Sequence, residues 1–278
     1  MHSPKKSALL SSEIIAQAAT SRLLVQKWQS GRVNSIEDCV AEEVPVAMIY
    51  NGISHAVMLA SPQDLEDFAL GFSLAEGILS SPKALYGIEV VQQESGIELR
   101  MDIANASFSQ LKDRRRSMTG RTGCGLCGAE SLVQALRLPE LVNESKEMFE
   151  SAAVLRALNS AFSQQLLQAK TGATHASFWV KSSGEITMVR EDVGRHNALD
   201  KLLGARAKQE AGSGFVLTTS RASYEMVQKV AVAGVAMLVA ISAPTGLAIR
   251  VAEQCGITLI GFARGEQFVV YTHPERLN

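Results

Sequence analysis

The sequence predicts an α/β protein in which a small α+β unit precedes a larger, mainly parallel sheet covered by helices on both faces. Three observations indicate this fold. Short apolar runs alternate with helical segments from residue 195 to residue 272, as they do in parallel sheets. Hairpin signals dominate residues 41–103. The 278 residues are 46% hydrophobic and 20% charged, which is the composition of an ordinary globular protein with a sizeable core.

Turn and capping residues predict the elements of the first unit. Asn51-Gly52 lies between two apolar, β-branched-rich runs and predicts a hairpin. Ser61-Pro62-Gln63-Asp64 predicts a helix start, with the serine hydroxyl as the cap and proline at the first helical position. Gly77 is expected to end that helix. Strands at 86–91 and 97–103 form a second predicted hairpin.

The second unit is predicted from its alternating pattern. A helix over about 151–169 and two strands, at 174–180 and 185–190, open the unit. The alternation that follows comprises helices at 195–204, 222–233 and 246–255 and strands at 214–219, 235–241, 257–262 and 268–272.

Three segments are expected along the chain. Residues 1–38 are polar and weakly periodic, and they predict a loosely ordered tail or a first helix. Residues 39–118 are predicted to form the small α+β domain. Residues 119–278 are predicted to form the α/β domain, with a cysteine-containing loop at its start and a helix over about 128–136 after that loop. The acidic stretch at 138–150 is the best internal linker candidate.

Charge and hydropathy exclude some classes of function. The net charge of −1 gives the protein no overall affinity for polyanions, and the one dense basic run is Lys112-Asp113-Arg114-Arg115-Arg116. The apolar run 230–241 is too short to cross a bilayer, and the first 15 residues do not resemble a signal peptide. We therefore expect a cytoplasmic, soluble protein that binds neither nucleic acid nor a membrane.

Cys124 and Cys127 form the most specific motif, a CxxC pair inside the glycine-rich loop GRTGCGLCG. Three interpretations are open: inert structural thiols, half of a zinc site, or a reactive thiol for redox or sulfur transfer. The third is favoured, because four interleaved glycines let the backbone present both sulfurs and nearby basic residues would lower a thiol pKa if they stay close.

Zinc is less favoured because a structural site needs four ligands. The remaining cysteines, Cys39 and Cys255, are isolated, so the chain has no second CxxC. The histidines that remain as candidates are scattered at His55, His175, His196 and His273. No structural metal is therefore expected.

A second cluster of polar residues occupies EDVGRHNALDKLLG, residues 191–204. Asp192 is a candidate helix cap, and that structural role is as plausible as a functional one. Arg195 and His196, near the predicted helix start, are candidates for contacting an anion or protonating a sulfur species.

Three strand ends carry polar turns that suit a phosphorylated ligand. The turns are Thr219-Ser220-Arg221-Ala222-Ser223, Ser242-Ala243-Pro244-Thr245-Gly246 and Ala263-Arg264-Gly265-Glu266-Gln267. In a parallel sheet all three emerge at the carboxyl edge, where α/β folds bind ligands. Their hydroxyls, free amides and helix N-termini favour a phosphate or nucleotide, although none is a P-loop or a GxGxxG motif.

Several long motifs in order resemble the FdhD family, the sulfur carrier proteins needed for formate dehydrogenase. The motifs are RTGCGLCG, EDVGRHNALDKLLG, TSRASYEMVQK and VVYTHPERL, and the resemblance runs from about residue 41 to the C-terminus. It implies that Cys124 accepts sulfur as a persulfide from a cysteine desulfurase, with Cys127 as the assisting thiol. The sulfur would then pass to the molybdenum (or tungsten) bis-molybdopterin guanine dinucleotide cofactor before that cofactor enters the catalytic subunit of formate dehydrogenase.

The resemblance also implies a cofactor-binding segment after the penultimate strand, which here is Phe262, Ala263, Arg264, Gly265, Glu266 and Gln267. Many members carry a Cys-Lys-Pro-Gly-Arg-type stretch after that phenylalanine. This chain lacks those side chains, although its backbone could still serve. The expected cofactor-binding set also includes residues from the turns and from the second cluster, namely His196, Ser220, Arg221 and Ser242.

The fold that the resemblance implies is a cytidine-deaminase-like αβα domain, yet the zinc signature of deaminases, H-x-E followed by P-C-x-x-C, is absent. A homodimer is expected because the cofactor has two guanine nucleotide arms, and a guanine nucleotide is expected to mimic it. Two alternatives stay open: a zinc-dependent hydrolase on a deaminase-like fold, and a cofactor chaperone whose thiols are incidental.

Overall fold

The computed structural model describes residues 18–118, 142, 147–209 and 212–278, with backbone alone over 114–118. The strands are β1 Thr20–Gln29, β2 Arg32–Ala41, β3 Val44–Tyr50, β4 Ile53–Ala60, β5 Leu85–Gln93, β6 Gly96–Ile103, β7 His175–Lys181, β8 Ile186–Asp192, β9 Gly214–Thr218, β10 Met237–Ala240, β11 Thr258–Arg264 and β12 Gln267–Val270. The helices are α1 Leu65–Ala75, α2 Asn105–Met118, α3 Ser151–Ala161, α4 Leu166–Thr171, α5 Arg195–Ala207, α6 Tyr224–Val232 and α7 Gly246–Cys255. The elements form the mixed α/β fold that the sequence predicts, and none of the helices so described is long and apolar enough to cross a membrane.

The prediction of a loose tail or helix is wrong for residues 20–38. β1 and β2 instead pair antiparallel in full register from Thr20↔Ala41 to Gln29↔Arg32. Ser30 and Gly31 both have positive φ, 50° and 77°, the conformation of a two-residue hairpin turn. The extended conformation suits the β-branched and aromatic residues of these strands, which include Val25, Trp28, Val33 and Ile36. The Ser30-Gly31 dipeptide was the sequence signal for this hairpin, and the polar composition of the segment obscured it.

The α+β unit has the elements that its turn residues predict. Its four strands are ordered β4-β3-β6-β5, and α1 covers one face. Asn51 and Gly52, with φ of 45° and 80°, join β3 to β4, and Gly77 follows the end of α1 with φ of 64°. The cap prediction for Ser61 is wrong, because Asp64 occupies the N-cap position of α1 without a side-chain hydrogen bond.

The larger sheet has six strands in the order β12-β11-β10-β9-β7-β8. Only the pairs β9–β10 and β10–β11 are parallel, while β7, β8 and β12 join antiparallel. The expectation of a mainly parallel sheet is therefore corrected to a mixed sheet. The connections from β7 to β8 and from β11 to β12 are short, and parallel neighbours need a long crossover.

Helices cover both faces of this sheet, as predicted. One face packs against α5, α6 and α7 through a core that includes Leu202, Val227 and Val251. The other face packs against α3, with Phe178 and Phe215 at 0% exposure.

The single helix predicted over 151–169 is divided into α3, a 3-10 turn and α4. At the start of α4, the backbone N–H groups of Leu167 and Gln168 donate to the Glu191 carboxylate.

The two sheets are joined by a close crossing of α1 and α5. A Cβ added to Gly204 would lie 1.9 Å from the carbonyl oxygen of Asp67, and one added to Gly71 would lie 1.8 Å from that of Asp200. Asp67 also pairs with Arg190 at 2.6 Å and with Lys208 at 2.8 Å. Backbone therefore packs directly on backbone at this crossing, and no side chain fits between the helices.

Gly204→Ala is expected to destabilise the protein by about 1–3 kcal/mol, because the added methyl group forces α1 and α5 apart. Gly87→Ala is the matched control, since a Cβ there meets its nearest atom at 3.9 Å. Urea unfolding followed by circular dichroism measures both. Equal midpoints for the two variants would contradict the tight crossing.

Candidate functional site

The predicted reactive thiols lie outside the described residues. Cys124 and Cys127 fall in 119–141, as do the predicted helix at 128–136 and part of the acidic linker, so these remain predictions. The domain division at residue 119 also stays a prediction, because that boundary lies in the same segment. The basic run begins on α2, where the Lys112 Nζ atom lies 4.7 Å from the centre of the Phe108 ring.

The predicted ligand site at the carboxyl edge brings three turns together. Just beyond β9 and β10, the Ser242 N–H donates to the Ser220 carbonyl at 3.4 Å, and the N–H of Phe262, within β11, donates to the Ser242 carbonyl at 3.2 Å. Ser223 and Thr245 cap α6 and α7 with their hydroxyl groups. The structure therefore places Ser220, Ser242 and Phe262 side by side, with two capped helix N-termini next to them.

The third turn differs from the expectation of a strand-to-helix loop. β11 continues to Arg264 and returns through Gly265 and Glu266 into β12, with a register shift between Gly261 and Arg264. Phe262 takes a positive φ of 50° inside this irregularity, and its side chain is 39% exposed. Ala263 is buried, whereas the other residues of the segment are exposed: Arg264, Gly265, Glu266 and Gln267.

The two serines and the arginine of the set differ in access. Ser220 is only 3% exposed, and its hydroxyl donates to the Arg221 carbonyl at 2.9 Å. Ser242 is half-buried, and Arg221 is exposed. Ser220 therefore shapes the turn through its backbone, while Arg221 is available to a ligand.

His196, in the first turn of α5, adds a further side chain to this edge. Its Nε2 atom lies 3.0 Å from Glu225 Oε2 and 3.3 Å from Ser223 Oγ. Burial lowers the pKa of His175, at the start of β7, and the nearby charges of Arg195 and His196 lower it further. The Arg195 Nε atom is buried and has no hydrogen-bond partner among the described residues.

Sequence reasoning missed Glu225 as a site residue and considered His175 only as a zinc candidate. Glu225 had a local signal, since it follows the capping residue Ser223 by two positions and belongs to the first turn of a predicted helix. His175 had none, because its position depends on β7 running antiparallel beside β9. Within the described ranges, no three His, Cys, Asp or Glu side chains form a metal-binding group.

Asp192 has a structural role in the second cluster. Its side chain is fully buried and pairs with Lys201 Nζ at 2.7 Å. The carboxylate also accepts from the Ser61 N–H at 3.0 Å and from the Gly194 N–H at 2.7 Å. Asp192 thus braces the turn before α5 and connects it to the α+β unit, although the N-cap position itself belongs to Gly194.

Other side chains of α5 reach the α+β unit in the same way. Asn197 donates to the Leu59 carbonyl at 2.7 Å, and Lys201 donates to the Ser61 carbonyl at 2.9 Å.

Burial raises the pKa of Asp200 to about 6, against the opposing effect of Lys229 at 2.9 Å. Burial also lowers the pKa of Lys201, although its pairing with Asp192 acts in the opposite direction.

Residues 41–278 match the FdhD/NarQ family. The sulfur carrier protein FdhD of Cupriavidus necator is 56% identical over 92% of this chain and 90% of that protein. The protein of the same name from Variovorax paradoxus is 55% identical over 87% of each chain.

A solved structure of another protein has a similar fold. It is a protein of Desulfotalea psychrophila described as a candidate formate dehydrogenase accessory protein, with a TM-score of 0.71 and 22% identity. The match covers 94% of this chain and 100% of that one.

Lys201→Met is expected to lower the free energy of unfolding by about 3–5 kcal/mol, because it leaves Asp192 buried without its counter-ion. Lys181→Met, which breaks an exposed pair with Glu185, is the control and is expected to change stability by less than about 1 kcal/mol. The double variant Asp192→Asn, Lys201→Met should recover part of the loss. Chemical denaturation that gives equal effects for the two lysines would contradict the role of Asp192–Lys201 in joining the units.

Proposed function

This chain belongs to the FdhD/NarQ family, and on that premise we propose that it is a sulfur carrier for formate dehydrogenase. The observation that carries the proposal is its 56% identity, over 92% of its length, to a protein named sulfur carrier protein FdhD. In the proposed reaction the chain takes sulfur from a cysteine desulfurase in the cytoplasm. It then delivers the sulfur to a molybdenum or tungsten bis-molybdopterin guanine dinucleotide before that cofactor enters the catalytic subunit of formate dehydrogenase.

Cys124 is the proposed carrier. Its thiolate attacks the terminal sulfur of the desulfurase persulfide, so the S–S bond of the desulfurase breaks and its cysteine leaves as a thiolate. Cys124 then holds the sulfur as Cys124–S–SH. When the Cys127 thiol attacks the Cys124 sulfur, a disulfide forms and hydrosulfide is released for the metal, with the two electrons supplied by the thiols.

The carboxyl edge of the larger sheet is the proposed binding site for the cofactor, which is here a substrate. Two features support this position. Ser220, Ser242 and Phe262 are adjacent there, and the edge offers cationic side chains at Arg195 and Arg221 to the phosphates of a guanine nucleotide arm. His196 and the backbone of residues 262–267 complete the proposed site.

Holding the cofactor at this edge would make sulfur transfer a local reaction, provided that the thiol loop reaches the metal. Two guanine nucleotide arms call for two equivalent sites, so we propose that the protein acts as a homodimer.

Cys124→Ala is expected to abolish persulfide loading, because the accepting thiolate is lost. Intact-protein mass spectrometry after incubation with a cysteine desulfurase and cysteine should show a reductant-sensitive gain of one sulfur atom on the wild type and on Cys127→Ala. The same gain is expected on Cys39→Ala, which removes a half-buried thiol elsewhere in the chain.

Two outcomes of that experiment would overturn the assignment. One is an equal gain of sulfur on Cys124→Ala. The other is no gain on the wild type while the desulfurase is shown to be active in parallel, which would favour a metal site or an incidental role for the thiols.

A further inference from the structure

β1 and β2 form a two-stranded sheet of their own, and we call residues 20–41 the N-terminal hairpin. No other strand of the described residues pairs with it, although β2 contacts α4. The half-buried residues at its base are Thr20, Ser21, Val40 and Ala41. The match to the FdhD/NarQ family begins at residue 41, so the N-terminal hairpin precedes the part of the chain that carries the proposed sulfur chemistry.

Large apolar side chains of the N-terminal hairpin face solvent. Leu24 and Trp28 lie on one face and are 80% and 73% exposed, and Leu23 on the other face is exposed as well. Trp28 pairs across the strands with Val33, which is also exposed. A hairpin alone is marginally stable in water, whereas three or more strands with an apolar face are stable. Pairing with further strands would therefore stabilise the N-terminal hairpin and cover its apolar groups.

The outer edge of β2 is suited to such pairing. β1 and β2 pair without a register shift, and residues 32–38 contain neither proline nor lysine, so the features that commonly block a sheet edge are missing from this stretch. Hydrogen-bonded and non-hydrogen-bonded pairs alternate along an antiparallel ladder, and Arg32 closes the two-residue turn. Val33, Ser35 and Glu37 therefore direct their backbone N–H and C=O groups away from β1.

Charge distinguishes the edge of β2 from that of β1. β1 carries Arg22 and Lys27 and no acid, so two copies of β1 would gain no attraction between charges. β2 carries Arg32 near its start and Asp38 near its end, and neither side chain belongs to an ion pair within the part of the chain that the structure describes. Glu37 is already paired with Arg22 at 2.5 Å. β2 thus offers one cation and one anion at opposite ends of the same edge.

Two copies of β2 complement each other in one antiparallel register. With Ser35 opposite Ser35 of the partner subunit, Arg32 of each copy lies opposite Asp38 of the partner subunit. A shift of two residues in either direction would instead place Arg32 opposite an apolar residue, Ile36 or Val40. The register centred on Ser35 therefore forms both ion pairs at once, and it is the self-complementary contact that a twofold dimer requires.

We propose that the N-terminal hairpin is the dimerisation element of this protein, and that the β2 edges of two copies join in a continuous four-stranded sheet. The strand order β1-β2-β2-β1 supplies the strand number that a lone hairpin lacks, and it brings the apolar side chains of two hairpins onto shared faces. This inference rests on the homodimer proposed above and names its interface. It does not depend on the sulfur chemistry.

Charge reversal tests the interface, with the dissociation constant of the dimer measured by sedimentation velocity over a range of protein concentrations. Arg32→Asp and Asp38→Arg each place like charges opposite each other twice, and each is expected to raise the dissociation constant about tenfold. The double variant Arg32→Asp, Asp38→Arg restores opposite charges and should return within about threefold of the wild type. Lys27→Asp makes the same reversal on β1 and, as the matched control, should change the constant by less than about twofold.

Cross-linking tests the register. Residues directly opposite each other in an antiparallel pair have Cα atoms about 4.5–5.5 Å apart, a separation that a disulfide spans. Ser35→Cys is therefore expected to give a reducible covalent dimer on mild oxidation. Gln26→Cys is the matched control, because Gln26 pairs with Ser35 within the N-terminal hairpin but would lie three strand spacings, about 14 Å, from its own copy. The wild type reports any linkage through the native cysteines.

Two outcomes would overturn the proposal, and they differ in what they leave standing. A dimeric wild type whose dissociation constant is unchanged in Arg32→Asp, together with no more covalent dimer from Ser35→Cys than from Gln26→Cys, would overturn this interface and leave the homodimer intact. A wild type that is monomeric at all concentrations would overturn the homodimer and this inference together, and residues 1–17 or another protein would then be left to cover the N-terminal hairpin. Persulfide loading of Cys124 is measured separately, so neither outcome bears on the sulfur chemistry.

Discussion

The buried ion pair between Asp192 and Lys201 is the contact on which the arrangement of the two sheets depends. Neither side chain is exposed, so each loses its hydration on folding. Ser61 offsets part of that loss, because it gives both its N–H and its carbonyl to the pair, at 3.0 Å and 2.9 Å. Ser61 belongs to the α+β unit, and the pair therefore has all of these hydrogen bonds only when both units are in place. The crossing of α1 and α5 at Gly71 and Gly204 also needs both units in place, because the two helix backbones are in direct contact there.

That junction also orients the edge at which we place the ligand. The Asp192 carboxylate accepts a hydrogen bond from the Gly194 N–H, and the two residues after Gly194 are Arg195 and His196. One short motif thus has two roles: its buried side chains face the α+β unit, and the residues between them supply charge at the carboxyl edge.

The proposed chemistry separates into two parts that differ in their physical demands. Sulfur transfer needs a nucleophilic thiol, which local sequence can specify through a glycine-rich CxxC loop. Holding a large phosphorylated cofactor needs groups that converge from several elements, and the polar groups at the edge come from β7, α5, α6 and the turns after β9, β10 and β11. The match to the FdhD/NarQ family over residues 41–278 spans both parts.

The sequence by itself determined the features that depend on neighbouring residues. Asn51-Gly52 specifies its hairpin because both residues tolerate positive φ, and apolar periodicity specifies α5, α6 and α7. Tertiary structure decided what depends on distant partners. Ser61 could cap a helix locally, but it bonds Asp192, 131 residues away. Short connections make the pairs β7–β8 and β11–β12 antiparallel, and His175 reaches the edge only because β7 also runs antiparallel beside β9. Local propensities are weak compared with burial of a charge or the closure of a sheet, so the long-range contacts prevail wherever the two conflict.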